Sequence, residues 1–213
     1  MKVVTLTVGA FQENSYLVYD EVAARAVFVD PGAEGGRLLA ALDASGAALD
    51  AIWLTHAHLD HVGGIAEILR AREVPVYLHP LDAGLYAAAS RQAASYGLPF
   101  EQPRAPDRTL ADGDTLTVGA LRFSVMHTPG HAPGLCVIHG EGVAFVGDLV
   151  FAGSVGRTDL PLSRGDDMMA SLARLSELPP STILYSGHGP ATTLAVELGS
   201  NPFLTGVARP VSR

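Results

Sequence analysis

Three histidines and an aspartate, His56, His58, Asp60 and His61, fall within six residues. They follow directly on Ala51-Ile52-Trp53-Leu54, an apolar run of the kind that forms a buried strand. Imidazole nitrogen and carboxylate oxygen are the donors that borderline divalent ions such as zinc or iron prefer. In an extended loop residues i and i+2 point the same way, so His56 and His58 converge on one point. On a helix the same pair would lie about 200° apart, so the spacing asks for a loop. Asp60 and His61 are neighbours that must diverge, which suits two adjacent points better than one. With eight histidines and thirteen aspartates in 213 residues, the pattern HxHxDH arises by accident in on the order of one such chain in a thousand. A polar, solvated loop is the competing reading, and the ligand candidates further along the chain weigh against it.

Those further candidates also stand at strand ends followed by turns. His131 lies in Pro129-Gly130-His131-Ala132-Pro133-Gly134, Asp148 follows Val146-Gly147, and His188 sits in Gly187-His188-Gly189-Pro190. In each, glycine lets the backbone bend sharply so that a short polar side chain projects from a sheet edge. Loops at one edge of a rigid scaffold are a common way to assemble a site.

The elements that must position these residues follow from periodicity and turn signals. Strands are predicted at 2–8, 14–19 and 26–30, with 9–13 as the first loop and Asp30-Pro31-Gly32 as a turn. A helix over 34–45 carries Leu38, Leu39 and Leu42 on one face, with Gly46 as its C-cap. After the strand at 51–54 come a helix over 65–72, a strand at 74–78 and an Ala-rich helix over 81–96. Residues 99–106 hold Pro99, Pro103 and Pro106 and read as a loop and the one candidate linker. Strands follow at 115–118, 122–127, 135–139 and 143–146, with Asp112-Gly113 and Val118-Gly119 as tight turns. The chain closes with a helix over 166–178, a strand at 182–186 and a helix over 191–198. Mixed sheets with helices on their outer faces bury these runs most simply, giving an α/β or α+β sandwich in one domain spanning 1–213.

Composition bounds the function. Apolar residues make up 48% of the chain, ample for a two-sided core and incompatible with global disorder. The net charge of −8 repels phosphate, which argues against a broad nucleic-acid surface and against an anionic membrane partner. Cys136 is the one cysteine and cannot form an internal disulfide, so nothing here depends on an oxidising compartment. The first residues alternate like a strand rather than an export leader, and the apolar run at 142–150 is broken by Gly147-Asp148 and too short to span a bilayer. A soluble cytoplasmic protein is the default expectation.

The motif set is similar to that of the metallo-β-lactamase superfamily, above all its hydroxyacylglutathione hydrolase (glyoxalase II-like) branch and the short relatives of that branch. The resemblance runs through Asn14-Ser15-Tyr16, Asp30-Pro31-Gly32, residues 55–64, His131, Gly147-Asp148, Gly156-Arg157-Thr158-Asp159 and Gly187-His188-Gly189-Pro190. It implies a four-layer αβ/βα sandwich, with two mixed β-sheets face to face and helices outside. It also implies two divalent metal ions, zinc first, with iron or manganese as alternatives. By carry-over His56, His58 and His131 hold the first ion, Asp60, His61 and His188 the second, and Asp148 bridges both. Two dications roughly 3.5–4 Å apart share a water and lower its pKa enough to supply hydroxide near neutral pH. Attack of that hydroxide on a thioester carbonyl needs little acid assistance, because a thiolate leaves easily. Asp148 offsets charge from both ions and Asp60 manages protons during turnover. The implied reaction is hydrolysis of a small-molecule thioester such as a hydroxyacylglutathione, by a monomer or small homo-oligomer.

Other readings share these ligands. A mononuclear iron persulfide dioxygenase would use His56, His131 and Asp148 alone. A lactone hydrolase would use the whole set, and a metal-binding scaffold with a closed pocket would do no chemistry. A flavodiiron reductase is disfavoured because His58 would then be a glutamate, and a nuclease by the negative charge. The full-length glutathione enzymes of the family add a basic helical C-terminal segment, whereas here a short tail with Arg209 and Arg213 follows His188, which implies looser recognition. Arg157 is a candidate contact to an anionic substrate, with pairing to Asp159 as the alternative. Phe11 is a candidate hydrophobic flap over the site, with ordinary packing as its alternative. His127 either supports His131 or simply ends a strand. His79 and His139 read as turn-flanking surface residues, Cys136 as core, and Met168 and Met169 as helix packing.

Overall fold

A computed structural model describes residues 1–211; Arg213 lies outside them. The first sheet has the order β1-β2-β3-β4-β5-β6, built from Lys2–Val8, Glu13–Asp20, Arg25–Val29, Ala48–Trp53, Val76–Leu78 and Arg108–Thr109. β1, β2 and β3 pair antiparallel, and β3 through β6 pair parallel. Parallel neighbours need long crossovers. These are α1 (Gly35–Ser45), α2 (Leu59–Val62) with α3 (Ile65–Ala71), and α4 (Ala83–Ser95).

The second sheet is built from β7 (Thr115–Val118), β8 (Leu121–His127), β9 (Cys136–Gly140), β10 (Val143–Gly147), β13 (Ile183–Ser186) and β14 (Thr192–Thr193), in the order β14-β13-β10-β9-β8-β7. Between β10 and its parallel neighbour β13 the chain inserts the hairpin β11 (Val150–Phe151) and β12 (Ser154–Val155), then α5 (Gly165–Leu175). Helix α6 (Leu194–Ser200) ends the fold. No helix among the described residues is long and apolar enough to cross a membrane.

Strict alternation makes the layers. Tyr16, Val18, Val27, Val29 and Trp53 of the first sheet meet Phe123, Cys136, Ile138 and Phe145 of the second in one buried cluster. Their alternates, Leu17, Phe28 and Ile52 in one sheet and Val137, Ala144 and Val146 in the other, join a cluster with Leu38, Leu42, Ile65 and Ile68 of α1 and α3 and with Met168 and Leu172 of α5. Strands buried on both faces are what two packed sheets between helical layers require. This is the four-layer αβ/βα sandwich, with Cys136 and Met168 in its core and Met169 partly buried against it.

Several local expectations shift. The 99–106 segment is no linker. It lies along α4, with Gln102 Nε2 donating to the Tyr86 carbonyl and Tyr86 OH donating to that of Arg104, and it leads the crossover into β6. Helix α4 starts at Ala83 because Pro80–Asp82 form a separate 3₁₀ turn. The last helix starts at Leu194 because Thr192–Thr193 pair with β13. His79 and His139 are partly buried rather than surface residues; His79 stacks on His127 with ring centroids 4.1 Å apart.

Candidate metal centre

Loops at the carboxyl ends of the strands carry the candidate ligands, as expected for open sheets with parallel strands. His56 and His58 follow β4 in the loop before α2, with His58 in extended backbone. Asp60 and His61 do not share that loop: they sit in the single turn of α2, which departs from the loop expected for the whole motif. Neighbours on a helix lie about 100° apart, so the turn aims the two side chains at different points. His131 follows β8, Asp148 follows β10 and His188 follows β13. The backbone of Asn14 bridges the sheets by donating to the Gly187 carbonyl (2.8 Å), which sets His188 beside the start of β2.

Two triads result. The ligand atoms of His56, His58 and His131 lie within 4.8 Å of one another, and so do those of Asp60, His61 and His188. Asp148 stands between them. Its Oδ2 is 3.4 Å from His131 Nε2 and its Oδ1 is 3.5 Å from His61 Nε2. In the second triad His188 Nε2 lies 3.3 Å from Asp60 Oδ2. A third set, Asp30, His56 and His61, is equally close. The oxygens of Asp30 are already taken, however, by Thr55 N (2.7 Å), Thr55 Oγ1 and His61 Nδ1 (3.0 Å). Asp30 therefore orients His61 and, through Thr55 Oγ1 at 3.1 Å from His56 Nδ1, steadies His56 as well.

Divalent ions fit this donor set. His56 Nε2, His61 Nε2 and Asp148 Oδ1 are buried without a hydrogen-bond partner. Each such atom costs about 1–3 kcal/mol when nothing satisfies it. His131 Nδ1 donates to the Arg157 carbonyl (2.9 Å), which leaves its Nε2 lone pair facing His58 Nδ1 at 2.8 Å. Two lone pairs facing each other need a cation or a proton between them.

Burial and the neighbouring imidazoles hold His56 well below the ordinary histidine range. Burial, with His131 beside it, lowers His58 to about 3, and burial lowers His131 to about 4. All three are neutral, the state a ligand imidazole must have. The second triad behaves oppositely. Burial alone would lower His61 and His188, but Asp148 and Asp60 outweigh it and raise both. Burial also raises Asp148.

A pH dependence follows for the metal-free protein. His58 and His131 stay neutral in the folded chain down to about 3 and 4, whereas unfolding lets them take protons below about 6.5. The unfolded state then binds more protons, so stability is lost as pH falls from about 6.5 toward 4. In chelator-treated protein the urea midpoint of the wild type is expected to fall relative to that of His58→Gln as pH drops through that window, since the opposite slope from Asp82 is common to both. An unchanged slope in that variant counts against the assignment.

Two glycines are fixed by space. A Cβ on Gly187 would lie 2.2 Å from Asp148 Oδ1 and 2.7 Å from His61 Cε1. One on Gly32 would lie 1.8 Å from the Asp60 carbonyl and 2.3 Å from Glu13 Oε2.

The metallo-beta-lactamase superfamily model matches residues 8–188, which encloses every candidate ligand. The chain belongs to the metallo-beta-lactamase superfamily. Among its relatives in this superfamily is the hydroxyacylglutathione hydrolase GloC of Haemophilus influenzae, 35% identical over 209 residues that cover 96% of this chain and 98% of that one. Among solved structures, the BLEG-1 B3 metallo-beta-lactamase superposes with a TM-score of 0.89 at 37% identity, covering 96% of this chain and all of the other. TTHA1623, solved in a di-iron-bound form, superposes with a TM-score of 0.87 at 45% identity, covering 95% of this chain and all of the other.

Within this superfamily fold the Asn14-Ser15-Tyr16 motif acquires a physical role. Asn14 Nδ2 donates to the carbonyls of Ser186 (3.1 Å) and Gly189 (2.8 Å), and Tyr16 OH donates to that of Ser186. Together they clamp the loop of His188. Ser15 Oγ accepts from Gly32 N (3.0 Å), which fixes the turn after β3.

Both residues considered for substrate contact line the cavity above the triads, which has a volume of 580 Å³. Arg157 nonetheless forms a two-bond pair with Asp159 (Nε–Oδ1 2.6 Å, Nη2–Oδ2 2.8 Å). Phe11 is 38% exposed and meets Tyr96 edge to face at 5.4 Å. His127 touches no candidate ligand; its Nε2 donates to the Pro133 carbonyl (2.8 Å) and braces the loop of His131.

Sequence reasoning passed over three buried acids. Asp30 appears there in a turn and among the residues of the resemblance, with no role at the site, although its carboxylate holds His61. Glu13 is buried with Oε1 at 3.8 Å from His61 Nδ1. Asp82 is fully buried and accepts from Ala57 N (3.1 Å) and Gly134 N (2.6 Å), tying the His56–His58 segment to the His131 loop. A lone Asp after His-Pro-Leu carries no spacing signal that would have marked it.

Proposed function

We propose that the protein is a metal-dependent hydrolase of thioesters such as hydroxyacylglutathione. The observation that carries this reading is Asp148, a buried carboxylate that reaches both triads: Oδ2 lies 3.4 Å from His131 Nε2 and 3.7 Å from His188 Nε2, and Oδ1 lies 3.5 Å from His61 Nε2. That placement suits a pair of ions sharing one bridging ligand rather than a single ion. When bound, such a pair supplies a water activated near neutral pH and polarises the scissile carbonyl.

The chain's own residues do the rest. His56, His58 and His131 would hold one ion, and Asp60, His61 and His188 the other. Asp30 and the Arg157 carbonyl keep the rings of His61 and His131 in the tautomers that present Nε2 inward. Asp60 is held below the usual carboxylate range, because His61 and His188 outweigh the effect of its burial. It is therefore ionised, the state in which it would serve as a ligand. The 580 Å³ cavity accommodates a small-molecule thioester, with Phe11 and Arg157 on its wall. Because Arg157 is already paired with Asp159, an anionic carrier has to compete for it.

The relative named hydroxyacylglutathione hydrolase and the neighbour with two irons both support this reading. The purified protein is expected to carry close to two first-row metal ions and to hydrolyse S-lactoylglutathione. One iron per chain, with oxygen uptake on glutathione persulfide and no thioester turnover, would reverse it in favour of a mononuclear dioxygenase using His56, His131 and Asp148.

A further inference from the structure

A second cavity of 380 Å³ lies beside the first, on the far side of Phe11. Its walls are Val8, Ala10, Ala33, Leu98, Pro99 and Phe100, and it shares Phe11, Leu59 and Asp60 with the cavity above the triads. Sites for small molecules occupy about 300–1,000 Å³, so this groove has the room of a ligand subsite. The polar side chains along it are Glu34 and Asp60, both acidic. Glu34 is already engaged, accepting from Gly9 N (2.9 Å) and from Arg37 Nη1 (3.0 Å). Among the described residues no lysine, arginine or histidine lines the groove.

A thioester has two limbs diverging from one carbonyl, and a site that holds the carbonyl at the triads needs room for both. The larger cavity offers Gln92, Ser95 and Arg157, which suit a polar thiol carrier. The smaller one offers hydrocarbon and no cationic side chain along its walls, which favours an uncharged apolar chain over an acidic one. On the hydrolase reading above, we propose that this groove is the acyl subsite, and that the preferred acyl group is an apolar chain of roughly six to eight carbons rather than a short hydroxyacyl or a dicarboxylic one.

The test uses the full-length, metal-loaded protein and thioesters of one neutral thiol, N-acetylcysteamine, carrying acetyl, butanoyl, hexanoyl, octanoyl and succinyl groups. Each methylene that leaves water adds about threefold to kcat/KM, so hexanoyl is expected to exceed acetyl by roughly a hundredfold. Succinyl is expected to fall below butanoyl. Ala10→Trp, an exposed position on the groove rim, is expected to cut the hexanoyl-to-acetyl ratio at least tenfold. Leu98→Ala, which widens the groove, moves the optimum to longer chains, and both variants are checked for metal content. A flat series in the wild type with acetyl still turned over would overturn the acyl subsite and leave the hydrolase reading standing. An unchanged ratio in Ala10→Trp would also overturn it. No turnover of any thioester by the metal-loaded chain would overturn both.

Discussion

Asp148→Ala is expected to lose both metal ions and to lower kcat/KM for a thioester by about a thousandfold or more. The carboxylate reaches toward both triads, at 3.4 Å from His131 Nε2 and 3.5 Å from His61 Nε2. Without it, two sets of three neutral or singly charged ligands would have to hold two dications with no shared charge between them. The fold is expected to survive. In the metal-free protein Asp148 is buried, raised by that burial, and has Oδ1 unpartnered, so it costs rather than contributes stability. The metal-free variant should unfold within about 1 kcal/mol of the metal-free wild type, or above it. Only the wild type should then gain stability on loading, because only it binds the ions tightly. Metal analysis beside thermal unfolding with and without chelator separates these effects. Full activity in the variant rules out the bridging role.

Asp82→Ala is the substitution expected to damage the centre without touching it. Its carboxylate satisfies two buried N–H groups, one between His56 and His58 and one in the loop of His131. Alanine leaves both unsatisfied, at about 1–3 kcal/mol each, so a loss of about 2–5 kcal/mol is expected. Because the two loops would no longer share an anchor, metal affinity should fall by about 10–100-fold, as for other residues that orient ligands from behind. Asparagine is not a rescue: it presents one acceptor where two donors converge. Asp82→Asn also tests the electrostatics. Burial pushes the Asp82 carboxyl up to about 6, although its two backbone hydrogen bonds oppose this. A folded value above the unfolded one means the folded chain holds the extra proton. The contribution is therefore full at low pH and is lost as pH rises from about 4 to 6. The stability of the wild type relative to Asp82→Asn should decline across that window. A difference that is constant with pH, measured by urea unfolding, would show that Asp82 is ionised throughout.

Much of this protein was legible in the order of its residues, because the relevant signals are local. The continuous apolar run Ala51-Ile52-Trp53-Leu54 marked a buried strand, and runs of that kind are covered most simply by mixed sheets with helices on their outer faces. The HxHxDH spacing marked His56 and His58 as convergent and Asp60 and His61 as divergent, because side-chain direction follows from backbone geometry over two or three residues. Glycines before Asp148 and His188 marked sharp bends at strand ends.

What lay beyond reach were relations between distant segments. The loop after β4 turns into helix at Leu59, where Gly64 N bonds the Pro31 carbonyl (2.9 Å) and packing against the turn after β3 outweighs the preference of the spacing for extended chain. Asp82 became an anchor only when its 3₁₀ turn was laid beside two loops 25 and 52 residues away. The pairing of Arg157 with Asp159 on the cavity wall became visible only once the backbone after β12 presented both side chains together. Donor types and local direction are encoded residue by residue; the distances that bring seven side chains into two adjacent triads around Asp148 arise only when two sheets pack and bring their loop-bearing ends together.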